Sequence, residues 1–239
     1  MQEITFIVDD KETNLNFSKE VHKDHYRVTT VAPTSKMFAF RVESHDGNAC
    51  GHIERTSAYI RLLLDAMLEY DVYTDEIRGI DTELFISSAR LHDIGKICIP
   101  DEILDKPSRL TDEEFEIVKT HAEEGVRIIN HIISPSGEDE FLRNAALFAC
   151  CHHERWDGRG YPYGLEREKI PLHGRVMAFA DVYDALISER PYKKAFSHEE
   201  ALRVIMVGAD IQFDPLLAEA FEKKSDQLKA ICENRPAVR

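Results

Sequence analysis

The sequence lacks several features that would place it in other classes of protein. Its five cysteines are an odd number and none forms a Cys-x-x-Cys pair. No secretory segment begins the chain, so a reduced, cytoplasmic setting is expected. Apolar runs such as residues 145–151 fall far short of the roughly 20 residues that span a bilayer, so no membrane insertion is predicted.

Positive charge is also scarce. The chain has 30 Lys and Arg residues against 44 Asp and Glu residues, which gives a net charge of −14. Such an excess repels nucleic acid polymers and anionic lipid surfaces, so neither is expected as a partner. A phosphate-bearing substrate would have to be attracted locally, by a metal ion or by a few Lys and Arg side chains. The length of 239 residues and the hydrophobic content of 43% are sufficient for one sizeable packed domain.

The first 41 residues differ in pattern from the rest. Short β-branched runs at residues 4–8 and 26–31 flank a polar helical pattern at residues 12–25, and residues 35–40 begin a second helical pattern. This order predicts a short βαβ-like segment.

An acidic pair, Asp9 and Asp10, follows the first predicted strand. The segment resembles the N-terminal third of a response-regulator receiver domain, in which such a pair helps to hold Mg²⁺. The resemblance stops at Phe40, because no later strand ending in a phosphorylatable Asp follows. Residues 1–41 are therefore interpreted as a truncated receiver remnant that packs on the main domain or on a partner chain. An ordinary N-terminal extension is the alternative.

Residues 42–239 have helical periodicity and no competing strand pattern, so an all-α domain is predicted there. Capping boxes begin helices at Thr111 and Ser197, and the Asp214-Pro215 pair begins another. The predicted helices are residues 53–70, 82–92, 111–133, 139–154, 172–188, 199–207 and 214–232.

Side chains that bind metals are paired along this helical region. Imidazole and carboxylate groups are good ligands for manganese, iron and zinc, and a carboxylate can bridge two ions. Adjacent residues on a helix point about 100° apart, so one pair can serve two ions. Seven ligands exceed what one ion takes, but two ions about 3.5–4 Å apart would use them all and share Asp93. The candidate ligands are His52, His92, Asp93, His121, His152, His153 and Asp181.

Other histidines and the cysteines are interpreted as structural. Single histidines are more often surface or core residues than ligands. A zinc-thiolate site at Cys150 and Cys151 is the alternative to core packing, which small thiol side chains favour. Ligation by His and carboxylate without thiolate suits iron or manganese better than structural zinc. The histidines set aside are His22, His25, His45, His131, His173 and His198.

Three motifs together resemble the HD superfamily, and specifically its HD-GYP branch, over residues 46–225. They are His92-Asp93-Ile-Gly-Lys96, then His152-His153-Glu-Arg-Trp-Asp-Gly, and the tripeptide Gly160-Tyr161-Pro162. The resemblance implies an all-α HD-type fold with two or three metal ions, often iron or manganese. It also implies a phosphodiesterase that hydrolyses cyclic di-GMP in bacterial signalling.

The resemblance also implies roles for individual residues. Asp93 takes the place of the bridging carboxylate, and Lys96 is expected near the scissile phosphate, which makes both catalytic. Lys96, Tyr161, Arg190 and Lys193 are the expected substrate-binding residues. The other six candidate ligands match the metal-binding positions of the family.

One departure from the family bears on the number of ions. Members with a third metal carry Glu four residues before the first histidine ligand, and this chain has Asn48 there. Two divalent ions are therefore expected rather than three, with the linear dinucleotide pGpG as the end product.

Several alternatives stay open. The substrate could be another nucleotide, such as a mixed cyclic dinucleotide, or the domain could be a non-catalytic sensor that retains the fold. A second copy of the chain or a signalling protein is left open as a partner. Glu154 either orients a histidine or is an ordinary helical residue, and Asp184 either supports the ligands or forms a salt bridge within its helix.

Overall fold

The computed structural model describes residues 2–7, 26–31, 49–132, 139–189 and 194–233. The chain divides into two compact units, Met1–Cys50 and Gly51–Arg239.

The N-terminal unit contains two strands, β1 (Gln2–Ile7) and β2 (Tyr26–Val31). They pair in parallel, with Ile4 opposite Val28. A parallel pair requires a crossover connection, but the predicted helices at residues 12–25 and 35–40 lie outside the described residues. The interpretation as a receiver remnant therefore stays a prediction.

The larger unit consists of helices and connecting loops, with no β-strand among its described residues. Helices α1, α3, α7, α8 and α9 agree in position with predicted helices, to within a few residues at each end. The helices are α1 (Ala49–Glu69), α2 (Thr74–Ile77), α3 (Thr82–Ala89), α4 (Asp101–Leu104), α5 (Asp112–Lys119), α6 (His121–Ile132), α7 (Glu140–Cys151), α8 (Leu172–Ile187), α9 (His198–Val207), α10 (Pro215–Lys223) and α11 (Ser225–Glu233).

The predicted helix starts are confirmed by side-chain caps. Thr111 and Ser197 each form a reciprocal capping box, with Glu114 and Glu200 as the respective partners. The Asp214 carboxylate accepts from the backbone N–H groups of the first turn of α10. These caps satisfy backbone donors that a helix leaves unpaired at its N-terminus.

Two helices that the sequence predicts to be continuous are broken. The helix predicted over residues 111–133 divides at Thr120, whose hydroxyl donates to the Ile117 carbonyl while the His121 ring bonds the Val118 carbonyl. Side chains thus satisfy carbonyls at the end of α5. The final predicted helix divides at Lys224, where the backbone leaves helical geometry (φ −99°, ψ 14°).

Helix α8 is the centre of the core. Eleven of its sixteen residues are buried, so it is surrounded by other helices rather than lying on the surface. Its Phe179 and Tyr183 rings pack against the Phe221 ring of α10, and Tyr183 also meets Tyr59 of α1 edge to face. This core fixes the positions of α1, α7 and α8, which carry several of the candidate ligands. No helix among the described residues is long and apolar enough to cross a membrane.

A close contact between backbones brings the next ligands together. After α3, the chain forms a 3₁₀ turn at Ile94–Cys98 that packs on α6. A Cβ atom at Gly95 would lie 1.9 Å from the His121 carbonyl oxygen and 2.5 Å from the Gly125 nitrogen. Only glycine permits this approach, which places Asp93 beside His121.

Candidate metal centre

Three of the candidate ligands lie just after the ends of helices. The Nδ1 atoms of His92, His121 and His152 bond carbonyl oxygens in the last turns of α3, α5 and α7, at 2.7–3.1 Å. A carbonyl oxygen only accepts, so each Nδ1 carries the hydrogen and each Nε2 carries a lone pair. The three helix ends therefore fix the rings in the tautomer that binds a metal through Nε2.

This arrangement corrects the sequence-based picture of the His-Asp pair. Helix α3 ends at Ala89, so His92 and Asp93 are not successive residues of a helix pointing about 100° apart. The chain continues in shorter hydrogen-bonded turns. The His92 backbone N–H donates to the Ala89 carbonyl oxygen, and the Ile94 N–H donates to the Leu91 carbonyl oxygen. The turn, rather than helical geometry, directs the two side chains.

The first group of ligands, here called the inner cluster, consists of Asp93, His121, His152 and His153. One ligand atom from each lies within 4.8 Å of every other. Asp93 Oδ1 is 3.4 Å from His121 Nε2 and 3.7 Å from His152 Nε2. The rings of His121 and His152 are almost entirely buried.

The inner cluster has the electrostatics of a cation site. The Nε2 atoms of His121 and His152 are 3.2 Å apart, and with both hydrogens on Nδ1 two lone pairs face each other. Asp93 Oδ1 and His92 Nε2 are buried and have no hydrogen-bond partner among the described residues. Buried polar atoms are costly without partners, and a cation bound here would satisfy what the hydrogen bonds do not.

The second group, the outer cluster, consists of His52, His92 and Asp181, whose ligand atoms also lie within 4.8 Å of one another. His52 Nε2 is 3.7 Å from Asp181 Oδ1. The clusters adjoin, because His92 Nε2 is 3.3 Å from Asp93 Oδ2. The seven candidate ligands thus converge, with Asp93 between the two groups. Imidazole and carboxylate donors of this kind fit divalent manganese, iron or zinc.

One ligand of the outer cluster, His52, is positioned by a partly buried ion pair. Asp184 accepts two hydrogen bonds from the Arg55 guanidinium, at 2.5 and 2.9 Å, and lies 2.8 Å from His52 Nδ1. Of the two roles considered for Asp184, the contact supports the one that orients a ligand. Arg55 was not recognised as a supporting residue from the sequence, since its partner lies 129 positions away.

Ionisation of the central residues follows from these contacts. Burial alone would raise the pKa of Asp93, but the Lys96 ammonium, 2.5 Å away, and the His92 ring hold it well below its usual value. Burial lowers the pKa of His121 to about 4 and also lowers that of His153. These histidines are therefore neutral at neutral pH, as metal ligands must be.

The glycine-containing loop after His153 is attached to the site through Glu154 and Tyr161. The Glu154 carboxylate accepts from the backbone N–H groups of Tyr163 and Leu165, at 2.8 and 2.9 Å. Among its described contacts, Glu154 therefore holds the loop rather than orienting a histidine. Tyr161 stacks on His153, with ring centroids 4.7 Å apart and planes at 30°.

The remaining predicted residues lie in the core, beside Asp93, or outside the described residues. Cys150 and Cys151 are buried and belong to neither cluster, which agrees with core packing. Lys96 lies against Asp93, and its side chain is 45% exposed. Arg190 and Lys193 lie outside the described residues, as does Asn48, so their predicted roles stay predictions.

The fold and site together define a helical domain whose histidines and aspartates converge in two adjoining clusters of the kind that can hold a metal ion. Comparison with known families places it more narrowly. The HD domain family matches residues 65–217, and the chain belongs to that family.

Relatives and a solved structure agree with this assignment. The chain is 44% identical over 189 residues to a Vibrio cholerae protein named cyclic di-GMP phosphodiesterase, covering 79% of this chain and 38% of the relative. It is 37% identical to the Xanthomonas campestris cyclic di-GMP phosphodiesterase response regulator RpfG, covering 83% of this chain and 49% of that protein. The chain thus spans less than half the length of either relative.

The solved structure of Bd1817, a HDG"Y"P protein from Bdellovibrio bacteriovorus, matches with a TM-score of 0.54. The two are 20% identical, and the match covers 79% of this chain and 55% of that chain. This likeness supports the HD-type helical fold.

Proposed function

We propose that the domain is a metal-dependent phosphodiesterase that hydrolyses cyclic di-GMP. The observation that carries the proposal is the set of buried lone pairs in the inner cluster, between His121 Nε2, His152 Nε2 and Asp93 Oδ1. A single bound cation would satisfy them together. The names of the two relatives described above supply the substrate class.

The seven clustered residues are proposed to hold two divalent ions, with iron or manganese favoured by the mixed nitrogen and oxygen ligands. Such ions polarise phosphate oxygens and neutralise their charge when bound. Asp93 is proposed to be shared between the two ions, since its Oδ1 faces the inner cluster and its Oδ2 faces His92.

The chain's own residues are proposed to bind and orient the diester. Lys96 places an ammonium group beside Asp93, with much of its side chain exposed, where it can stabilise negative charge that develops on a phosphate. Tyr161, stacked on His153, borders the same centre and is proposed to contact the nucleotide. Arg190 and Lys193 are proposed to bind the second phosphate, as the motif resemblance implies.

The direct test is a product analysis. The full chain is loaded anaerobically with Mn²⁺ or Fe²⁺ and incubated with cyclic di-GMP and, separately, with 3′3′-cGAMP, and the products are separated by chromatography. We expect cyclic di-GMP to be converted to pGpG, with protein stripped by a chelator as the inactive control.

The other outcomes separate the alternatives. Faster turnover of the mixed dinucleotide would favour the second substrate. Binding of cyclic di-GMP without turnover under either metal would favour a sensor. Accumulation of GMP would contradict the expectation of two ions and a linear end product.

The other predictions concern the setting of the domain. The parallel pairing of β1 and β2 is compatible with a receiver-like segment over residues 1–41, followed by the catalytic domain at residues 42–239. We also propose a cytoplasmic location, with a second copy of the chain or a signalling protein as the partner.

A further inference from the structure

Two side chains of α5 extend the row of rings that begins in the inner cluster. The His153 ring stacks on Tyr161, and the Tyr161 ring meets the Phe115 ring almost perpendicularly, at a centroid distance of 6.4 Å. The Lys119 ammonium lies 5.7 Å from the centre of the Tyr161 ring and 5.8 Å from that of Phe115. A continuous path of aromatic and cationic groups therefore leads outward from the candidate metal centre.

These α5 residues do not belong to the core. Helix α5 has no buried residue, and Phe115 is 47% exposed. A single exposed aromatic ring is common on protein surfaces. Phe115 differs because it stands against Tyr161, which itself contacts a metal-ligand candidate. Its exposed ring is thus available at the edge of the site.

The position of Lys119 adds charge to this aromatic surface. Its ammonium is held by Glu116 at 2.6 Å, close to both rings. In a chain with a net charge of −14, a substrate with two phosphates depends on cations placed locally. Lys119 is such a cation, and it lies on α5, a different element from Lys96.

We propose that Phe115 and Lys119, together with Tyr161, form a subsite for one purine base of the substrate and the phosphate attached to it. Two rings at 86° form a corner in which a flat base can stack on one ring and present its edge to the other. Aromatic stacking suits any nucleobase, because every base has a π-face. The subsite rests on the proposed function for the identity of the dinucleotide, and it adds α5 to the residues that bind it.

The test compares Phe115→Ala with Phe115→Trp and Ile117→Ala in the metal-loaded full chain. Ile117 is the matched control, because it is 42% exposed on the same helix. We expect Phe115→Ala to raise KM for cyclic di-GMP about tenfold with a much smaller change in kcat, as loss of one base stack predicts. Phe115→Trp and Ile117→Ala should both keep the wild-type KM for cyclic di-GMP.

A substrate without bases separates stacking from general damage. With an abasic cyclic bis(ribose phosphate), which carries no aromatic ring, Phe115→Ala should leave kcat/KM nearly unchanged, because no base is present to stack. A second readout is calorimetric binding of the phosphorothioate analogue of cyclic di-GMP, which measures affinity independently of turnover. Phe115→Ala should weaken this binding about tenfold, and Phe115→Trp should not.

The outcomes distinguish the subsite from the function on which it rests. If the wild-type chain binds the analogue without turning over cyclic di-GMP, and Phe115→Ala weakens binding, the subsite stands and the proposed activity falls. If wild-type turnover is present but Phe115→Ala changes neither KM nor affinity, the subsite is wrong. If the wild-type chain neither binds nor hydrolyses the dinucleotide, both proposals are wrong.

Discussion

The inner and outer clusters hold similar ligands by different means. In the inner cluster, His121 and His152 are fixed by carbonyl oxygens at the ends of α5 and α7. In the outer cluster, His92 is fixed in the same way at the end of α3, but His52 is fixed by the Asp184 side chain, which Arg55 holds in turn. The side chains of His121 and His152 are 1% and 0% exposed, whereas those of His52 and Asp181 are 22% and 26% exposed.

The difference indicates how each part of the site should respond to change. A ligand held by backbone carbonyls depends on the helix ends, which the whole fold maintains. A ligand held by a carboxylate depends on two side chains that single substitutions can remove. We therefore expect metal binding at the inner cluster to be lost only when the fold or one of the cluster's own ligands is disrupted. Metal binding at the outer cluster should be weakened by replacing a supporting side chain while the fold is kept.

The largest effect is expected for Asp93→Ala, which removes the group between the two clusters. Both ions would lose a ligand, and the His121 and His152 lone pairs would lose the nearby negative charge that favours a cation. We expect loss of metal from both clusters and a fall in turnover of at least about 10³-fold, several kcal/mol of transition-state stabilisation. Metal content and turnover are measured on the same preparation. If turnover persisted, the assignment of Asp93 would be wrong.

Next is Gly95→Ala, which tests the dependence of the inner cluster on the fold. The added methyl group would overlap the backbone of α6 at His121 and Gly125, so the 3₁₀ turn must move. We expect the free energy of unfolding to fall by about 3 kcal/mol, as for severe overpacking, with weaker metal binding. Gly79→Ala is the control, because no heavy atom of the described residues lies within 4 Å of its added Cβ. Equal urea midpoints for the two variants would contradict the close approach.

Asp184→Asn should separate the clusters. Removing the charge weakens the hold on His52 and breaks the Arg55 ion pair, while the inner cluster keeps its carbonyl contacts. We expect affinity for one of two ions to fall about 10- to 100-fold, the usual cost of losing a partner that orients a ligand.

The matched control for Asp184→Asn is Glu83→Gln. Glu83 also receives two hydrogen bonds from an arginine, Arg61, but it belongs to neither cluster. Metal titration followed by calorimetry is the measurement. Equal losses at both ions in Asp184→Asn would remove the distinction between the clusters.

The sequence was sufficient to predict the helical fold and the set of residues that converge. The motif around His92 and Asp93 and the His152-His153 pair are local patterns, and the capping boxes at Thr111 and Ser197 are set by residues three positions apart. Such features are specified within a few residues of the chain, so they can be recognised without coordinates.

Other features depend on contacts between distant residues. The role of Asp184 was undecided from the sequence, because its partners Arg55 and His52 are 129 and 132 positions away. The roles proposed for Phe115 and Lys119 were not predicted, since an aromatic and a lysine on an amphipathic helix give no signal of their own. The break at Thr120 was also missed, because the helical pattern continues through it. The carbonyl contact of His121 that accompanies the break depends on a ring orientation that the pattern does not specify.

The smallest effect concerns His173, a reference histidine outside both clusters. Its ring packs against Phe85 and Phe148, and its Nδ1 is buried with no partner among the described residues. Burial lowers the pKa of His173 to about 4, so below its ordinary pKa of 6.5 the unfolded chain takes up a proton more readily. Protonation of His173 therefore does not reduce the free energy of unfolding above pH 6.5, but it reduces this free energy progressively as the pH decreases toward 4.

His173→Gln keeps a donor for Asn144, which lies 3.1 Å from the His173 ring, and removes the titration. We expect chelator-treated wild-type protein to lose about 2 kcal/mol more stability than the variant between pH 7 and pH 5. Urea unfolding at the two pH values measures this difference. Acid loss of metal at the clusters can then be separated from acid loss of the fold. Identical pH dependence in the two proteins would show that His173 does not titrate in this range, and that acid sensitivity arises at the clusters themselves.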